Sequence, residues 1–240
     1  MKNTFFILAL LSLNTLFGQI SKSPNFEFIP IHHATFIIQT ETFNIVVDPG
    51  KGTLEKLLDF PNPRFILITH EHGDHMDIDA INTIKEENSV VIGSKTVIEK
   101  LGFGKVINNY ETATFENFDL EAIPMYNTTP ERAKFHVKGV GNGYLLTLFG
   151  ERIYIAGDTE DIPEMRALKN IDHAFICMNL PYTMSVEQAA SAILEMKPKN
   201  VYPYHYRNAD KTFSPVRTTL KELLAKDTGI VIQYLEWYEE

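Results

Sequence analysis

Four stretches of the chain share one pattern, a short apolar run rich in β-branched and aromatic residues that stops abruptly at polar ones. Ile45-Val46-Val47 runs into Asp48-Pro49-Gly50, and Phe65-Ile66-Leu67-Ile68 into Thr69-His70. Ile153-Tyr154-Ile155-Ala156 runs into Gly157-Asp158, and Val201-Tyr202-Pro203-Tyr204 into His205. Runs of this length and composition predict buried strands. Thr35 to Asp48 and Gly143 to Ala156 read as hairpin-like pairs, and Ile230 to Trp237 as a final strand.

Helical spacing lies between the strands. Ser185-Val186-Glu187-Gln188 has the form of a capping box, and Val186, Ala189, Ala190, Ile193 and Leu194 follow as an apolar stripe. Ser214-Pro215 offers an N-cap with proline at the first helical position, Leu220, Leu223 and Leu224 an apolar face, and Gly229 a stop. Alternating strands and helices predict an α/β fold of mixed layers. Polar residues at strand ends then gather along one sheet edge. No linker or exact repeat interrupts residues 26–240, so one domain is expected.

Composition adds limits. At 240 residues and 44% hydrophobic, the chain can bury a substantial core. Its formal charge of −9 is spread without a basic block, which excludes nucleic acid as a partner. Cys177 is the only cysteine, so no intrachain disulfide forms, and its apolar neighbours predict a buried thiol. Near the N-terminus Lys2 precedes a mostly apolar stretch from Phe5 to Phe17, too short to span a bilayer, then Gly18 and Gln19. This predicts a signal peptide over residues 1–19 and a mature chain over 20–240, exported to the periplasm or beyond with no stable membrane anchor after cleavage.

The densest chemistry is His70-Glu71-His72-Gly73-Asp74-His75. His70 and His72 can point the same way on leaving a strand, and Gly73 permits a turn that brings Asp74 and His75 back. Imidazole with carboxylate suits zinc, manganese or iron, and the lack of thiolates argues against a structural zinc finger. Burying four such groups without a metal would be costly.

This run resembles the His-x-His-x-Asp-His hallmark of the metallo-β-lactamase superfamily. Further likenesses follow in order from about Ile31 to Arg207. They are His33-Ala34-Thr35, Asp48-Pro49, Gly157-Asp158-Thr159, Tyr182-Thr183-Met184 with the Ala189-Ala190 helix, and His205-Tyr206. Together they are similar to the branch that includes ascorbate-6-phosphate lactonase and N-acylphosphatidylethanolamine phospholipase D.

The resemblance implies an αββα sandwich with the site at the sheet edge, and a metal-dependent hydrolase that uses a metal-bound hydroxide. It makes His70 and His72 ligands of a first metal and Asp74, His75 and His205 ligands of a second, with Asp158 bridging. Asp74 would also hold the nucleophile and help move its proton. Zn2+ is the expected cofactor, as one or two ions, with Mn2+ or Fe2+ as alternatives. One position departs from the family pattern, because no histidine stands in Pro124-Met125-Tyr126-Asn127. Either Asn127 fills it or His136 reaches in, and neutral imidazole, the commonest metal ligand, favours His136. With neither, the centre would be mononuclear.

His33, Tyr182 and Arg207 are read as substrate-binding, Arg207 suiting an anionic oxygen, with Tyr206 as a further wall. Asp48, Ser94 and Glu164 are read as supporting the fold, Asp48 also able to orient a ligand histidine, and His173 as a surface or boundary residue. The substrate is expected to be a small molecule of the lactone, amide, ester or phosphodiester class, and the oligomeric state is left open between a single chain and a homo-oligomer, which some relatives form. Two other readings compete. A flavodiiron-type oxidoreductase would carry a carboxylate where His72 stands, and a flavin domain. A non-catalytic metal-binding protein would show lost ligands.

Overall fold

Neighbouring residues of the predicted strands part company in the computed structural model, which describes residues 21–22, 25–225 and 229–238. Ile45, Val47, Phe65 and Leu67 belong to one buried cluster, and Val46, Ile66 and Ile68 to another. Successive side chains of a strand point to opposite faces, so these strands are covered on both. The expected signal peptide over residues 1–19 lies outside the described residues.

Two sheets, each seven-stranded among the described residues, account for the layers. The first takes its strands in chain order, β1 (Ser21–Lys22), β2 (Phe26–His32), β3 (Thr35–Thr40), β4 (Asn44–Val47), β5 (Phe65–Leu67), β6 (Val90–Gly93) and β7 (Lys105–Val106). The second is equally sequential, with β8 (Thr112–Thr114), β9 (Phe118–Met125), β10 (Gly141–Leu148), β11 (Glu151–Ile155), β12 (His173–Cys177), β13 (Asn200–Tyr204) and β14 (Val231–Ile232). The predicted hairpins are β3–β4 and β10–β11, both antiparallel. From β4 to β7 and from β11 to β14 the strands run parallel, so their carboxyl ends share one edge of each sheet.

Aromatic side chains fill the space between the sheets. Phe36 of β3 stacks on Phe175 of β12 with ring centroids 4.3 Å apart, and Phe65 of β5 meets Phe118 of β9 edge-on at 4.9 Å. On the outer face of the first sheet, Val46, Ile66 and Ile68 pack against α2 (Ile78–Ile84) and α3 (Lys95–Leu101). The second sheet is covered by α5 (Val186–Met196), whose Ser185 forms both bonds of the predicted capping box. Its Val186, Ala189, Ala190 and Ile193 are buried, whereas Leu194 is exposed. Short helices α1 (Leu54–Leu57), α4 (Pro163–Arg166) and α6 (Lys221–Leu224) complete the layers, giving the α/β αββα sandwich of the metallo-β-lactamase type.

Two expectations change near the C-terminus. The helix after Ser214-Pro215 opens with a π-helical turn over Val216–Leu220, in which the Leu220 N–H reaches back five residues to the Pro215 carbonyl. The final strand is only Val231–Ile232. Along β13 the carbonyls of Lys199 and Val201 accept from Val231 and Gln233, and the next position facing that edge is Pro203, which has no N–H to extend the ladder. The chain then leaves the sheet and buries Leu235 and Trp237 in the core. No helix among the described residues is long and apolar enough to cross a membrane.

Candidate metal centre

Five parallel strands end at polar side chains on the shared edge: β4 at Asp48, β5 at His70, β11 at Asp158, β12 at Asn179 and β13 at His205. After β5 the chain makes a tight turn, with the N–H groups of His75 and Met76 both donating to the His72 carbonyl. The turn lies against Pro49-Gly50-Lys51, where the Lys51 N–H donates to the Gly73 carbonyl at 2.8 Å. A Cβ on Gly50 would sit 2.0 Å from the Asp74 carbonyl oxygen, so only glycine lets the two segments approach this closely.

Asp48 fixes the turn from beneath. Its fully buried carboxylate accepts from the Thr69 N–H at 2.7 Å, from the Thr69 hydroxyl at 2.7 Å and from His75 Nδ1 at 2.8 Å. Because Nδ1 of His75 is taken, Nε2 is left to point away, at 3.4 Å from Asp158 Oδ1. This carboxylate-to-histidine arrangement is how ligating imidazoles are held in one tautomer.

The expected residues converge. His70 Nε2 lies 3.0 Å from His72 Nδ1, His136 Nε2 3.5 Å from Asp158 Oδ2, and His205 Nε2 3.6 Å from Asp158 Oδ1. Asp74 Oδ2 is 3.4 Å from His205 Nε2 and 3.5 Å from His33 Nε2. Three groups could each hold a cation: His70, His72 and His136; His70, His75 and Asp158; and His33, Asp74 and His205. Within each, one ligand-type atom per residue lies within 4.8 Å of the others.

Electrostatics set the protonation of this cluster. Burial, the largest influence on Asp158, would raise its pKa, but the His205 and His75 rings outweigh it and hold the carboxyl well below the usual range. Asp74 is depressed likewise, with the nearby His205 and His33 rings outweighing its burial. Burial drives His70 and His136 down, and burial with the neighbouring His205 takes His33 to about 4. Burial would lower His75, but Asp158 and Asp48 outweigh it and raise its pKa.

Anionic carboxylates and mostly neutral imidazoles are the forms that bind metal. The buried atoms His75 Nε2, His136 Nε2, Asp158 Oδ1 and His205 Nε2 make no hydrogen bond, and the three imidazole nitrogens stand 3.4–3.6 Å from the Asp158 carboxylate oxygens, longer than an ordinary hydrogen bond. Leaving a buried polar atom unsatisfied costs about 1–3 kcal/mol. A nitrogen- and oxygen-rich set with several such atoms aimed inward fits a bound cation.

His136 reaches the group containing His70 and His72, while Asn127 is turned to other work. The Asn127 side-chain amide donates to the carbonyls of Tyr182 at 2.7 Å and Arg132 at 3.0 Å, and stands 3.3 Å from His136 Nδ1. It props the ring that was favoured over it for that position. A cavity of about 270 Å³ opens over the cluster, with Phe135, Asn179 and Tyr182 beside His72, Asp74, His136, Asp158 and His205.

Arg207 is not on that wall. Its guanidinium lies 5.3 Å from the centre of the Tyr238 ring, a cation–π contact that turns it aside. Glu164 accepts from the hydroxyls of Tyr110 and Tyr126 and from Lys138, a fold-supporting role as expected. His173 is buried rather than at the surface, between Glu151 and the Tyr202 hydroxyl. Asn179 and Tyr238 escaped the sequence reading. Asn179 follows the apolar run Phe175-Ile176-Cys177-Met178 and so carried the same strand-end signal as the others. Tyr238, whose hydroxyl lies 2.8 Å from His33 Nδ1 across 205 positions, carried none.

Comparison with known proteins agrees with this geometry. The sequence model of the beta-lactamase superfamily domain matches residues 29–205. A UPF0173 metal-dependent hydrolase of Ligilactobacillus salivarius (strain UCC118) is 30% identical over 200 residues, which cover 79% of this chain and 87% of that protein. A crystal structure from Parabacteroides distasonis ATCC 8503, described as that of a metal-dependent hydrolase, superposes with a TM-score of 0.83 at 41% identity, covering 92% of this chain and 99% of the other. Igni18, a metallo hydrolase of Ignicoccus hospitalis, shares the fold with a TM-score of 0.74 at 22% identity, covering 90% and 97%.

Proposed function

This chain belongs to the metallo-β-lactamase superfamily, among its UPF0173 metal-dependent hydrolases, and from that premise we propose that it cleaves a small uncharged ester, lactone or amide. The observation that carries the substrate class is the wall of the cavity. Phe135, Tyr182 and Asn179 stand around the cluster, and among the described residues no lysine or arginine lines it. A substrate with its own phosphate would meet no side-chain cation there. The likeness of His33-Ala34-Thr35 and Gly157-Asp158-Thr159 to the lactonase and phospholipase D branch favours lactone, amide-lipid or phosphodiester chemistry, and the uncharged wall selects the lactone and amide part of that range.

His70, His72 and His136 would be suited to hold one ion, and, as the family resemblance implies, Asp74, His75, His205 and Asp158 would hold a second, with Zn2+ the best match to a nitrogen-rich set and Mn2+ or Fe2+ as alternatives. Bound there, such cations acidify water and polarise a carbonyl oxygen. The protein's own groups do the rest. Asp74 is half exposed to the cavity and anionic, and with Oδ2 set between His33 and His205 its other oxygen is available to accept a hydrogen bond from the attacking water. The Asn179 Oδ1 accepts from the Thr183 hydroxyl at 2.6 Å, which leaves its amide N–H groups to hold a substrate oxygen. Phe135 and Tyr182, packed edge-to-face with centroids 5.1 Å apart, supply an apolar side that limits water.

A panel of lactones, esters, β-lactams, phosphodiesters and phospholipids, assayed with protein of measured metal content, tests this reading. Neutral esters or lactones should be turned over best, and Asp74→Ala should lower kcat by about 10²–10⁴-fold with the fold retained. A preference for phosphodiesters overturns the substrate class, and near-wild-type turnover by Asp74→Ala overturns the role given to that carboxylate. Export is supported by Lys2 and the apolar stretch to Phe17. Protein recovered from the host periplasm should begin just after Gly18 or Gln19, and a cytoplasmic chain that retains Met1 would refute it.

A further inference from the structure

We infer that His33 is itself a metal ligand, completing with Asp74 and His205 the second ion position, and that Tyr238 holds it there. This rests on the metal-centre reading above and changes the ligand set assigned to it. His33 Nε2 and His205 Nε2 lie 3.5 Å and 3.4 Å from the same oxygen, Asp74 Oδ2, and neither separation is that of a hydrogen bond of ordinary length. The two rings are 3.8 Å apart by centroid and tilted by 36°, so they present matching edges to one point beside Asp74.

The other edge of His33 is already occupied. Tyr238 brings its hydroxyl to 2.8 Å from His33 Nδ1, which leaves Nε2 as the only ring nitrogen for an ion. A partner on the far nitrogen is what orients a ligating imidazole. Arg207 lies against the Tyr238 ring, and the Trp237 carbonyl accepts from the His33 backbone N–H at 3.3 Å. The C-terminal segment thus grips His33 by ring and backbone together. His33 is 8% exposed and does not line the cavity, which is the placement of a ligand rather than of a substrate contact.

His75 is turned elsewhere. Its Nε2 is nearer to Asp158 Oδ1, at 3.4 Å, than to Asp74 Oδ2, at 4.0 Å, and its compact ligand group is with His70 and Asp158. The structure therefore assigns His75 to the Asp158 side and His33 to the Asp74 side.

Full-length protein stripped with a chelator and titrated with Co2+ provides the test, with uptake followed by elemental analysis and by visible absorption. Wild type should bind two ions. His33→Ala should bind the first with unchanged affinity and the second at least ~100-fold more weakly, with the absorption band of the second ion lost. Tyr238→Phe should weaken the second ion alone by about 10-fold, the lower end of the range for removing a partner of a ligating histidine. Far-ultraviolet circular dichroism of the stripped proteins checks folding, and His33→Gln, which keeps a polar side chain against Tyr238, serves if His33→Ala does not fold. Two ions bound at wild-type affinity by a folded His33 variant overturn this inference and leave the metal centre standing. A wild-type chain that takes up no ion overturns the centre itself, and the inference with it.

Discussion

Replacing Asp48 by asparagine probes the tautomer of His75 without touching a residue of the cavity wall. In the wild type Asp48 Oδ1 accepts from the Thr69 N–H, and Oδ2 from both the Thr69 hydroxyl and His75 Nδ1, all within 2.7–2.8 Å. Asparagine can keep its oxygen on the Thr69 N–H, and the threonine hydroxyl can reverse to accept. His75 has no such recourse. Facing an N–H group, Nδ1 must become the acceptor, and the neutral ring that would bind metal then carries its proton on Nε2, the atom that looks toward Asp158. The stripped protein loses a net charge-assisted hydrogen bond, about 1.5–3 kcal/mol. Metal affinity falls by a further 10–100-fold or so, as expected for the partner of a ligating histidine, equivalent to about 1.4–2.8 kcal/mol. Guanidinium unfolding of the stripped protein measures the first quantity and a competitive chelator titration the second. Thr69→Val, which leaves the Asp48 contact to His75 in place, should lower affinity less. A folded Asp48→Asn protein that binds metal as tightly as wild type would refute the orientation argument.

Glu160 accepts at 2.7–2.8 Å from the N–H groups of Thr128 and Thr129, the Thr128 hydroxyl and Arg132. Burial would raise its carboxyl, but these bonds outweigh it and hold the pKa below the usual value. Its stabilising effect is therefore full above the unfolded pKa, about 4.3, and drains away as pH falls through the lower folded value. Glu160→Gln should cost about 1–3 kcal/mol at pH 7 and flatten the acid limb of the stability curve, and an unchanged acid limb in denaturant melts would count against it. Gly50→Ala should disrupt the Gly73-Asp74 turn through its clash with the Asp74 carbonyl; wild-type metal uptake and melting temperature together would contradict this. Trp237→Ala should lose about 3–5 kcal/mol by emptying the contact with Phe36 and Phe175, and a loss below 1 kcal/mol in the same melts would show the site to be slack. Cys177 is fully buried, which pushes its thiol pKa well up, so an aromatic disulfide reagent should titrate it only after denaturation.

The strand ends were legible because burial on both faces writes continuous apolar runs, and a run that stops at histidine or aspartate states where the edge lies. His70, Asp158 and His205 were found in this way. The exchange of Asn127 for His136 was only half legible. Donor chemistry favoured imidazole, but the loop that folds His136 back, held by the Asn127 N–H to the His136 carbonyl at 2.9 Å, leaves no periodic trace. Arg207 misled because its charge suggested a substrate contact, while its direction is set by an aromatic ring 31 positions away. The shortened last strand turns on Pro203, which was visible in the sequence, but the side of β13 it faces depends on the register with β14. Tyr238 is the clearest omission, since no local pattern ties a tyrosine near the end of the chain to a histidine near its beginning.

Each sheet is a contiguous half of the sequence. Strands β1 to β7 lie within residues 21–106, and β8 to β14 within 112–232. The convergent side chains are divided the same way: His33, His70, His72, Asp74 and His75 come from one half, and His136, Asp158 and His205 from the other. Among the described residues each of the three ligand groups draws on both halves, so an ion that binds is also a rivet across the seam. Its binding energy adds to the docking of the two halves as RT ln(1 + [L]/Kd). Chelation should therefore lower the stability of both sheets together, since one core joins them, and the protein's tolerance of heat should follow the free metal concentration around it.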